Sequence, residues 1–333
     1  MKIKYLTIIL VVIFAISCKD DEDNTITGVS LESPSFSGKK INTIAVDNEG
    51  TKWIGASDGL YRFDGTNWNY YPDENLGSTI NHIFYETTGG ISNLLISTDV
   101  GAVYVSIEGT NLMPKAIYKY SENSILSNKV KAGLIDEKDK QWFGTDSGVC
   151  YQADNIWTRD VHRLLPEVPV TSMTVIDTNY YVSTTGYWLY RLAYDDETDA
   201  ITGASQLIKP FNGNLTTINI YCVYAGSEGY LWFGSEEGLT RQRDHTKITF
   251  GDFTYYLEGE HVHSVLETGQ GDVWAGTENG VFMKNGDDWT QYATTDGLAN
   301  NTVNALSEDP DGSIWMGTNN GLSHFDGDTW TNY

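Results

Sequence analysis

A similar segment of about twenty residues occurs near the beginning and at the end of the sequence, and this repetition constrains the fold more than any other feature. An early copy reads KWIGASDGLYRFDGTNWNYY, and the chain ends on IWMGTNNGLSHFDGDTWTNY. When the two copies are aligned, Trp53 corresponds to Trp315 and Gly59 corresponds to Gly321. Internal repeats of this kind indicate a fold built from equivalent structural units.

Five further copies lie between these two. Three are clear (QWFGTDSGVCY, LWFGSEEGLTR and VWAGTENGVFM) and two are weaker (LISTDVGAVYV and YVSTTGYWLYR). Their spacing averages about 44 residues, a period typical of arrays in which each unit is a small sheet. The glycines that we take as equivalent are Gly59, Gly101, Gly148, Gly186, Gly238, Gly280 and Gly321.

Each copy divides into four short strands separated by turns. In the first copy the strands are INTIAVD, TKWIGAS, LYRFD and TNWNYY, and Asp-Gly steps between them favour tight hairpins. Seven four-stranded antiparallel units predict an all-β fold, a seven-bladed β-propeller over residues 39–333. The two ends would then be neighbouring, complete blades. An open β-solenoid is disfavoured by the long period, and two separate sandwiches are disfavoured by the uniform register.

Two segments carry a resemblance to a known family. DPDGSIWMGTNNGLSHFDGDTWTNY and DNEGTKWIGASDGLYRFDG resemble the two-component regulator propeller repeat, and YATTDGLANNTV is similar to its Asp-Gly-Leu segment between blades. In larger relatives such propellers form the periplasmic sensors of hybrid histidine kinases that detect glycan fragments. The resemblance implies the propeller fold and a sensing or binding role.

The N-terminus reads MKIKYLTIILVVIFAISC, a basic start followed by an apolar run and Cys18. The run is shorter than the roughly 20 residues of a membrane span and has the layout of a secretory signal. Its end resembles a bacterial lipoprotein signal, which implies lipidation of Cys18. We expect a signal peptide at residues 1–17 and a lipidated acidic tether at 18–38. Ordinary signal cleavage and a simple membrane anchor are the alternatives.

The segment KDDEDN after Cys18 resembles the acidic signal that sends lipoproteins of some Gram-negative bacteria to the cell surface. We therefore expect a stand-alone lipoprotein in the outer membrane, exposed at the cell surface. Its membrane contact would be through the lipid anchor only. A solvated acidic linker is the alternative interpretation of this segment.

The charge of the chain narrows its partners. Asp and Glu number 45 against 21 Lys and Arg, which gives a formal net charge of −24. Such a field repels phosphate backbones, so we expect no nucleic-acid binding.

Apart from Cys18, the cysteines are Cys150 and Cys222, which fall in blades that are not neighbours. A disulfide between them is therefore not expected.

Common catalytic motifs are missing from the sequence, which contains no Walker A loop, G-x-S-x-G, H-E-x-x-H or C-x-x-C. We expect no catalytic residue, cofactor or metal, and we interpret the recurring carboxylates of DNEG, DEKD and DPDG as turn residues. The segment EHVH places His261 and His263 on one side of a strand. Two histidines alone do not make a metal site, although a metal-dependent lyase stays an alternative.

The candidate binding site follows from the propeller geometry. The innermost strand of every blade lines the central axis, so one position per blade converges on a common rim. That position is polar in all seven copies, whereas the residue before it is Ile or Val. We also expect Tyr187 and Trp188, in a loop of the fourth blade, to open on this side and supply a stacking face. The rim residues are Asn42, Asn81, Lys131, Thr171, Tyr221, His263 and Asn304.

Amides, a hydroxyl, a lysine and an aromatic ring suit sugar hydroxyls, although a water-filled channel without a ligand is an open alternative. The leading hypothesis is a non-enzymatic cell-surface lipoprotein that binds or senses a glycan or a cell-envelope protein through one face of the ring. The alternatives are a carbohydrate-active lyase or hydrolase at the channel mouth, and a structural subunit of an outer-membrane complex.

The lipid anchor is directly testable. We expect Cys18→Ala to release the protein from the membrane fraction, because the acyl chains would have no attachment point. The intact mass of the membrane-extracted wild type should show an acylated mature N-terminus. A soluble wild-type protein with a free Cys18 thiol would contradict the prediction.

Overall fold

A computed structural model describes residues 25–333 apart from 160, 162–164, 166, 187, 196, 199, 208–218 and 245–252. Within these residues, seven antiparallel sheets follow one another along the chain. The inner strand of each sheet packs beside the inner strand of the next, and the last packs beside the first. The predicted seven-bladed β-propeller is confirmed, and each blade is built from consecutive strands. The predicted signal peptide (residues 1–17) and Cys18 lie outside the described residues.

Thirty strands and a short 3-10 turn (Ser227–Gly229) make up the described structure. Two strands precede the ring, β1 (Ile26–Thr27) and β2 (Val29–Leu31). The innermost strands of blades 1 to 7 are β3 (Ile41–Val46), β7 (Ile80–Thr88), β11 (Val130–Ile135), β15 (Val170–Ile176), β19 (Ile220–Ala225), β23 (Val262–Glu267) and β27 (Val303–Glu308). The second strands are β4 (Lys52–Ala56), β8 (Ile91–Thr98), β12 (Gln141–Thr145), β16 (Asn179–Thr184), β20 (Leu231–Ser235), β24 (Val273–Thr277) and β28 (Ile314–Thr318).

The outer half of each blade consists of its third and fourth strands. The third strands are β5 (Gly59–Phe63), β9 (Gly101–Glu108), β13 (Gly148–Ala153), β17 (Trp188–Asp195), β21 (Gly238–Gln242), β25 (Val281–Asn285) and β29 (Gly321–Phe325). The outermost strands are β6 (Trp68–Tyr71), β10 (Asn111–Tyr118), β14 (Ile156–Thr158), β18 (Ala200–Leu207), β22 (Phe253–Tyr256), β26 (Asp288–Tyr292) and β30 (Trp330–Asn332).

The segment before blade 1 packs against the ring. Strand β2 pairs with β6 and strand β1 pairs with β10, so blades 1 and 2 each gain a fifth strand. Phe36 is fully buried and contacts the rings of Tyr61 and Trp68. The sequence predicts a tether up to residue 38, and the structure places the described part of that segment, from Thr25 onward, against the propeller. No helix among the described residues is long and apolar enough to cross a membrane.

A glycine in the second strand lets the next blade approach closely. A Cβ at Gly55 would lie 2.7 Å from Cγ2 of Ile80, the first residue of blade 2. A Cβ at Gly317 would lie 2.6 Å from Cγ2 of Ile41, so the ring closes by the same contact. Glycine alone leaves room for this approach. The other pairs of this kind are Gly144 with Val170, Gly234 with Val262, and Gly276 with Val303.

The tryptophan two residues before such a glycine packs between the same two blades. Trp53 and Trp315 are 0% and 2% exposed, as their repeated positions predict. Each indole Nε1 donates a hydrogen bond to a carboxylate in the preceding turn, Asp47 at 3.2 Å and Asp309 at 3.1 Å. The other oxygen of Asp47 accepts two turn amides. The repeated Asp therefore fixes both the turn and the core residue.

The core of this ring lies between the blades. Seven clusters of buried apolar side chains occur among the described residues, and each joins residues of two adjacent blades. The cluster across the ring closure includes Ile41 and Ile54 from blade 1 and Trp315 and Leu322 from blade 7. Cys150 and Cys222 are both free thiols, as expected. Stability is therefore shared around a closed circle of equivalent interfaces.

The close approach at the ring closure can be tested by adding one methyl group. Gly317→Ala should lower the free energy of unfolding by about 1–3 kcal/mol, the usual cost of overpacking, in urea denaturation. Gly203→Ala is the matched control, because it also lies within a strand (β18) but has nothing within 4 Å of the added Cβ. Equal losses at both positions would contradict the role given to Gly317.

Candidate functional site

A β-bulge follows the first residue of every inner strand. The register shifts between Ile41 and Thr43 in blade 1, and the same shift recurs at the equivalent point of the other six blades. A bulge leaves one residue unpaired and redirects its side chain. The unpaired residues are the seven that the sequence predicts as rim residues, Asn42, Asn81, Lys131, Thr171, Tyr221, His263 and Asn304.

All seven bulge residues line one cavity of about 530 Å³ at the end of the channel where the inner strands begin. We call this end the mouth. The volume lies within the range of about 300–1,000 Å³ that is usual for ligand pockets. The structure thus brings the predicted inner-strand residues together, while ligand binding by them stays a prediction. The wall just inside the rim includes Thr43, His82, Ser172, Cys222, Ser264 and Ala305.

Four of the seven rim residues fasten neighbouring blades together. Their side chains donate hydrogen bonds to the main-chain oxygen of the first residue in the next inner strand, a role that the sequence analysis did not predict. The bond from Asn304 to Ile41 joins the last blade to the first. The four bonds are Asn42 to Ile80 (2.9 Å), Asn81 to Val130 (2.9 Å), Thr171 to Ile220 (2.6 Å) and Asn304 to Ile41 (3.2 Å).

A charged group stands on the blade 2 and blade 3 side of the mouth. Lys131 Nζ lies 2.9 Å from Asp99 Oδ1 and donates to Asn81 Oδ1 at 3.1 Å. Asn81 Nδ2 also donates to Asp99 Oδ1 at 2.8 Å. Partial burial acts to raise the pKa of Asp99, but the hydrogen bonds from Asn81 and Lys131 outweigh it and hold this pKa below its usual value. The group offers both charges and several hydrogen-bonding atoms to the cavity.

An aromatic group stands on the blade 5 and blade 6 side. The rings of Tyr221 and His263 lie 4.7 Å apart, and His263 Nε2 lies 3.3 Å from Glu278 Oε1. Burial lowers the pKa of His263 despite the opposing effect of Glu278, so its ring is neutral at pH 7. Burial, followed by the charges of Glu236 and Glu278, raises the pKa of Tyr221. Within the described residues, no group of three or more His, Cys, Asp or Glu could hold a metal ion.

Carboxylates at the mouth were missed by the sequence analysis. They occupy the position after the Thr or Ser that ends the second strand, in the G-T-x-x-G phrase. This Thr or Ser anchors the turn, since Thr98 Oγ1 donates to the Gly101 carbonyl at 2.9 Å. The position after this Thr or Ser recurs in every blade, and the residues there form a second, mostly acidic rim that the repeat pattern alone could have predicted. Its acidic members are Asp99, Asp146, Glu236 and Glu278.

His82 is the one bulky side chain of the wall just inside the rim. The residues at the equivalent position of the other six blades are Ala, Ser, Thr or Cys. Burial lowers the pKa of His82 to about 4. Its Nδ1 and the Oγ of Ser97, its cross-strand neighbour, are buried and have no hydrogen-bond partner among the described residues. The mouth therefore contains polar atoms that the fold itself leaves unsatisfied.

The predicted loop position of Trp188 is wrong. Trp188 is the first residue of strand β17 and pairs with Thr184, where other blades pair their Thr with the repeated glycine. The turn of blade 4 is one residue longer than the others, so Gly186 lies in the turn with a φ of 77°. Tyr187 lies outside the described residues. The proposed stacking role of Tyr187 and Trp188 stays a prediction.

The family of the repeats is confirmed by comparison. Residues 214–237 and 297–320 match the family model described as two component regulator propeller. These matches lie in two of the seven repeats, and with the seven-bladed ring they support the resemblance to the two-component regulator propeller repeat. A comparison with curated proteins finds no match.

Several solved structures share the fold. The extracellular domain of a hybrid two-component system from B. thetaiotaomicron is 19% identical, with a TM-score of 0.69 over 90% of this chain and 39% of that one. PorZ, a surface component of the type-IX secretion system of Porphyromonas gingivalis, is 16% identical, with a TM-score of 0.64 over 84% and 46%. Virginiamycin B lyase from Staphylococcus aureus is 13% identical, with a TM-score of 0.63 over 88% and 95%. The chain spans less than half the length of the first two proteins.

The partly buried imidazole of His82 should make stability depend on pH. Its pKa is about 4 in the folded protein and near 6.5 in an unfolded chain, so the unfolded chain binds more protons between these values. Well above pH 6.5 the ring is neutral in both states, so protonation of His82 does not lower the free energy of unfolding. Between pH 7 and pH 5 this protonation should lower the free energy of unfolding by roughly 2 kcal/mol. His82→Gln should remove that part of the decrease, measured by chemical denaturation at both pH values. An identical decrease in the variant would contradict the assignment.

Proposed function

We propose that the protein is a non-enzymatic binding propeller that holds a glycan at the mouth. The observation that carries this proposal is the pair of unlike walls that face the cavity. The Lys131 group belongs to blades 2 and 3, and the Tyr221 group belongs to blades 5 and 6. In a seven-membered ring these sectors lie on roughly opposite sides of the channel. A ligand between them meets hydrogen-bonding charges on one side and an aromatic face on the other.

A sugar ring has the matching surfaces. Its hydroxyls require directional donors and acceptors, which the side chains of Lys131, Asp99 and Asn81 supply. Its C–H face packs on an aromatic ring, and Tyr221 with His263 forms such a surface. A peptide side chain or a lipid tail would leave one of these walls unused. The mouth therefore fits a saccharide better than a purely apolar ligand.

The charge of the rim narrows the class of glycan. The acidic second rim has four carboxylates, of which Asp146 lines the cavity, while Asp99 and Glu278 contact the rim residues Lys131 and His263. The basic side chains lining the cavity are Lys40 and Lys131. Burial, and then the charge of Lys131, lowers the pKa of Lys40. An anionic polysaccharide would meet net repulsion here. We therefore favour a neutral sugar or an amino sugar as the ligand.

The proposal includes display at the cell surface. Its support is the lipoprotein-like N-terminus ending at Cys18 and the fold shared with proteins described as extracellular or as a surface component. The similarity to PorZ favours a cell-envelope protein, instead of a glycan, as the ligand. Stable co-purification of a membrane partner, without any glycan binding, would support that alternative.

Binding at the mouth can be tested with two variants. The purified protein would be screened against a panel of neutral, amino and acidic oligosaccharides, and the best ligand titrated by calorimetry. Tyr221→Ala and Lys131→Ala should each weaken binding by about tenfold or more, because each removes the main contact of one wall. The melting temperature should change little, since both side chains are partly exposed.

The control for this test is Tyr120→Ala, which removes a tyrosine that is 56% exposed and does not line the cavity. It should leave binding unchanged. A ligand whose affinity is unaffected by Tyr221→Ala and Lys131→Ala would place the binding site elsewhere on the protein.

A second candidate function is lyase or hydrolase catalysis at the mouth. A neutral imidazole oriented by a carboxylate can act as a general base, and His263 lies 3.3 Å from Glu278 beside Tyr221. One protein of similar fold is a lyase. Incubation with the same panel, followed by detection of reducing ends or unsaturated products, separates the two functions. Products that disappear in His263→Ala would favour catalysis over binding.

A further inference from the structure

A second cavity, of about 340 Å³, lies between blades 5 and 6 at the other end of the ring. Strand β19 begins at the mouth with Ile220 and Tyr221 and ends at Ala225, and residues of the turn that follows line the cavity. We call it the blade 5–6 cleft. Its walls include Tyr230, Trp232 and Arg241 from blade 5, and Glu267 and Lys284 from blade 6.

The cleft exists because blade 5 departs from the repeat at its first turn. Blades 1, 3 and 7 have an Asp there that binds the indole of the blade's own tryptophan. Blade 5 has Gly226, and a Cβ at this position would lie 2.6 Å from Glu267 Oε2 and 2.8 Å from the Trp232 ring. Glu267 of blade 6 takes the place of the absent Asp and accepts a hydrogen bond from Trp232 Nε1 at 3.1 Å.

Arg241 lies in this cleft and has no carboxylate partner among the described residues. Its guanidinium carbon lies 4.9 Å from the ring centroid of Tyr230, 5.5 Å from that of Trp232 and 5.9 Å from that of Tyr256. Its Nε, like that of Arg62 in blade 1, is buried without a hydrogen-bond partner among the described residues. Unlike Arg62, which has Asp64 at 3.2 Å, Arg241 has no described carboxylate within ion-pair distance. Aromatic rings cover the faces of a guanidinium but leave its N–H edges available for an acceptor in the plane.

The equivalent arginine of blade 1 shows what is missing. Arg62 occupies the same register position, opposite the tryptophan of its blade. It donates to Asp64 at 3.2 Å and to Asn69 at 3.4 Å. In blade 5 the residue equivalent to Asp64 is Arg243, and the residue equivalent to Asn69 is Thr254. Blade 5 has therefore kept the arginine and lost both of the groups that satisfy it.

The other polar groups of the cleft narrow the ligand further. Lys284 adds a second positive charge, and its ammonium donates to the Gly286 carbonyl. Glu228 lies exposed at the edge of the cleft, in a turn where its own φ is 56°. Glu267 is occupied by Trp232 and Ser227. Carboxylates beside the cations repel a polyanion but accept hydrogen bonds from hydroxyls. The cleft thus fits a ligand with one carboxylate and several hydroxyls.

We propose that the blade 5–6 cleft binds a uronic acid residue, whose carboxylate pairs with the in-plane N–H groups of Arg241 while its hydroxyls meet Glu228 and Lys284. The arginine–carboxylate pair is the strong, directional contact of this site. This site is separate from the mouth, so it neither requires nor excludes glycan binding there. It would give the propeller an acidic-sugar site on the face opposite to a rim that repels acidic sugars.

The test uses the purified protein with D-galacturonate as the probe and ligand-observed NMR titration as the measurement. Galacturonate should bind, D-galactose should bind at least about tenfold more weakly, and added salt should weaken the galacturonate complex. Acetate and inorganic phosphate test a bare carboxylate and a general anion. Either of them binding as tightly as galacturonate would overturn the assignment to a uronic acid.

Variants locate the site. Arg241→Gln should weaken galacturonate binding about tenfold or more, and Lys284→Gln, at the cleft edge, should weaken it less. Arg62→Gln is the matched control, because it removes the same side chain from a blade in which Asp64 and Asn69 already accept hydrogen bonds from the guanidinium. Tyr221→Ala separates this cleft from the mouth. The proposal is overturned if Arg241→Gln and Lys284→Gln bind galacturonate like the wild type, or if Tyr221→Ala abolishes binding.

Discussion

The ring depends on how closely one blade can approach the next. At the closure, a Cβ on Gly317 would overlap Ile41, and the same relation holds between Gly55 and Ile80. This approach presents the main-chain oxygen of Ile41 to the neighbouring blade, where Asn304 donates to it. The next residue, Asn42, is bulged toward the channel. Packing between blades and the chemistry of the mouth are therefore set by adjacent residues of one strand.

This arrangement gives the rim two kinds of residue. The asparagine and threonine side chains at the bulge donate hydrogen bonds to the next blade, so they help to hold the ring of blades together. Lys131, Tyr221 and His263 do not make this bond, and their neighbours are a carboxylate or another ring. A ring of seven equivalent positions thus presents two distinct sectors to a ligand. Recognition can differ between such propellers through these sectors alone, because the fastening residues are constrained by the fold.

The sequence allowed the fold, the family and the converging rim positions to be predicted, because all three depend on repeat spacing. The fastening role of Asn42 was not predictable, since its acceptor is a main-chain oxygen that no side-chain pattern marks. The acidic rim follows from the G-T-x-x-G segment, but its carboxylates lie in turns, which a pattern of strand residues does not include. Trp188 was misplaced because glycine alignment cannot detect an extra turn residue; strand pairing with Thr184 reveals it.

A repeat protein contains its own internal comparison, and departures from the repeat divide into two kinds. Some are compensated, as when Glu267 occupies the space that Gly226 leaves and restores the bond to the indole of Trp232. Others leave a polar atom without a partner among the described residues, as at His82 beside the mouth and at Arg241 in the blade 5–6 cleft. Burying such an atom costs desolvation free energy that no hydrogen bond within the fold offsets. The compensated departures explain the architecture, whereas His82 and Arg241 each line a cavity in which a ligand could complete the bonding.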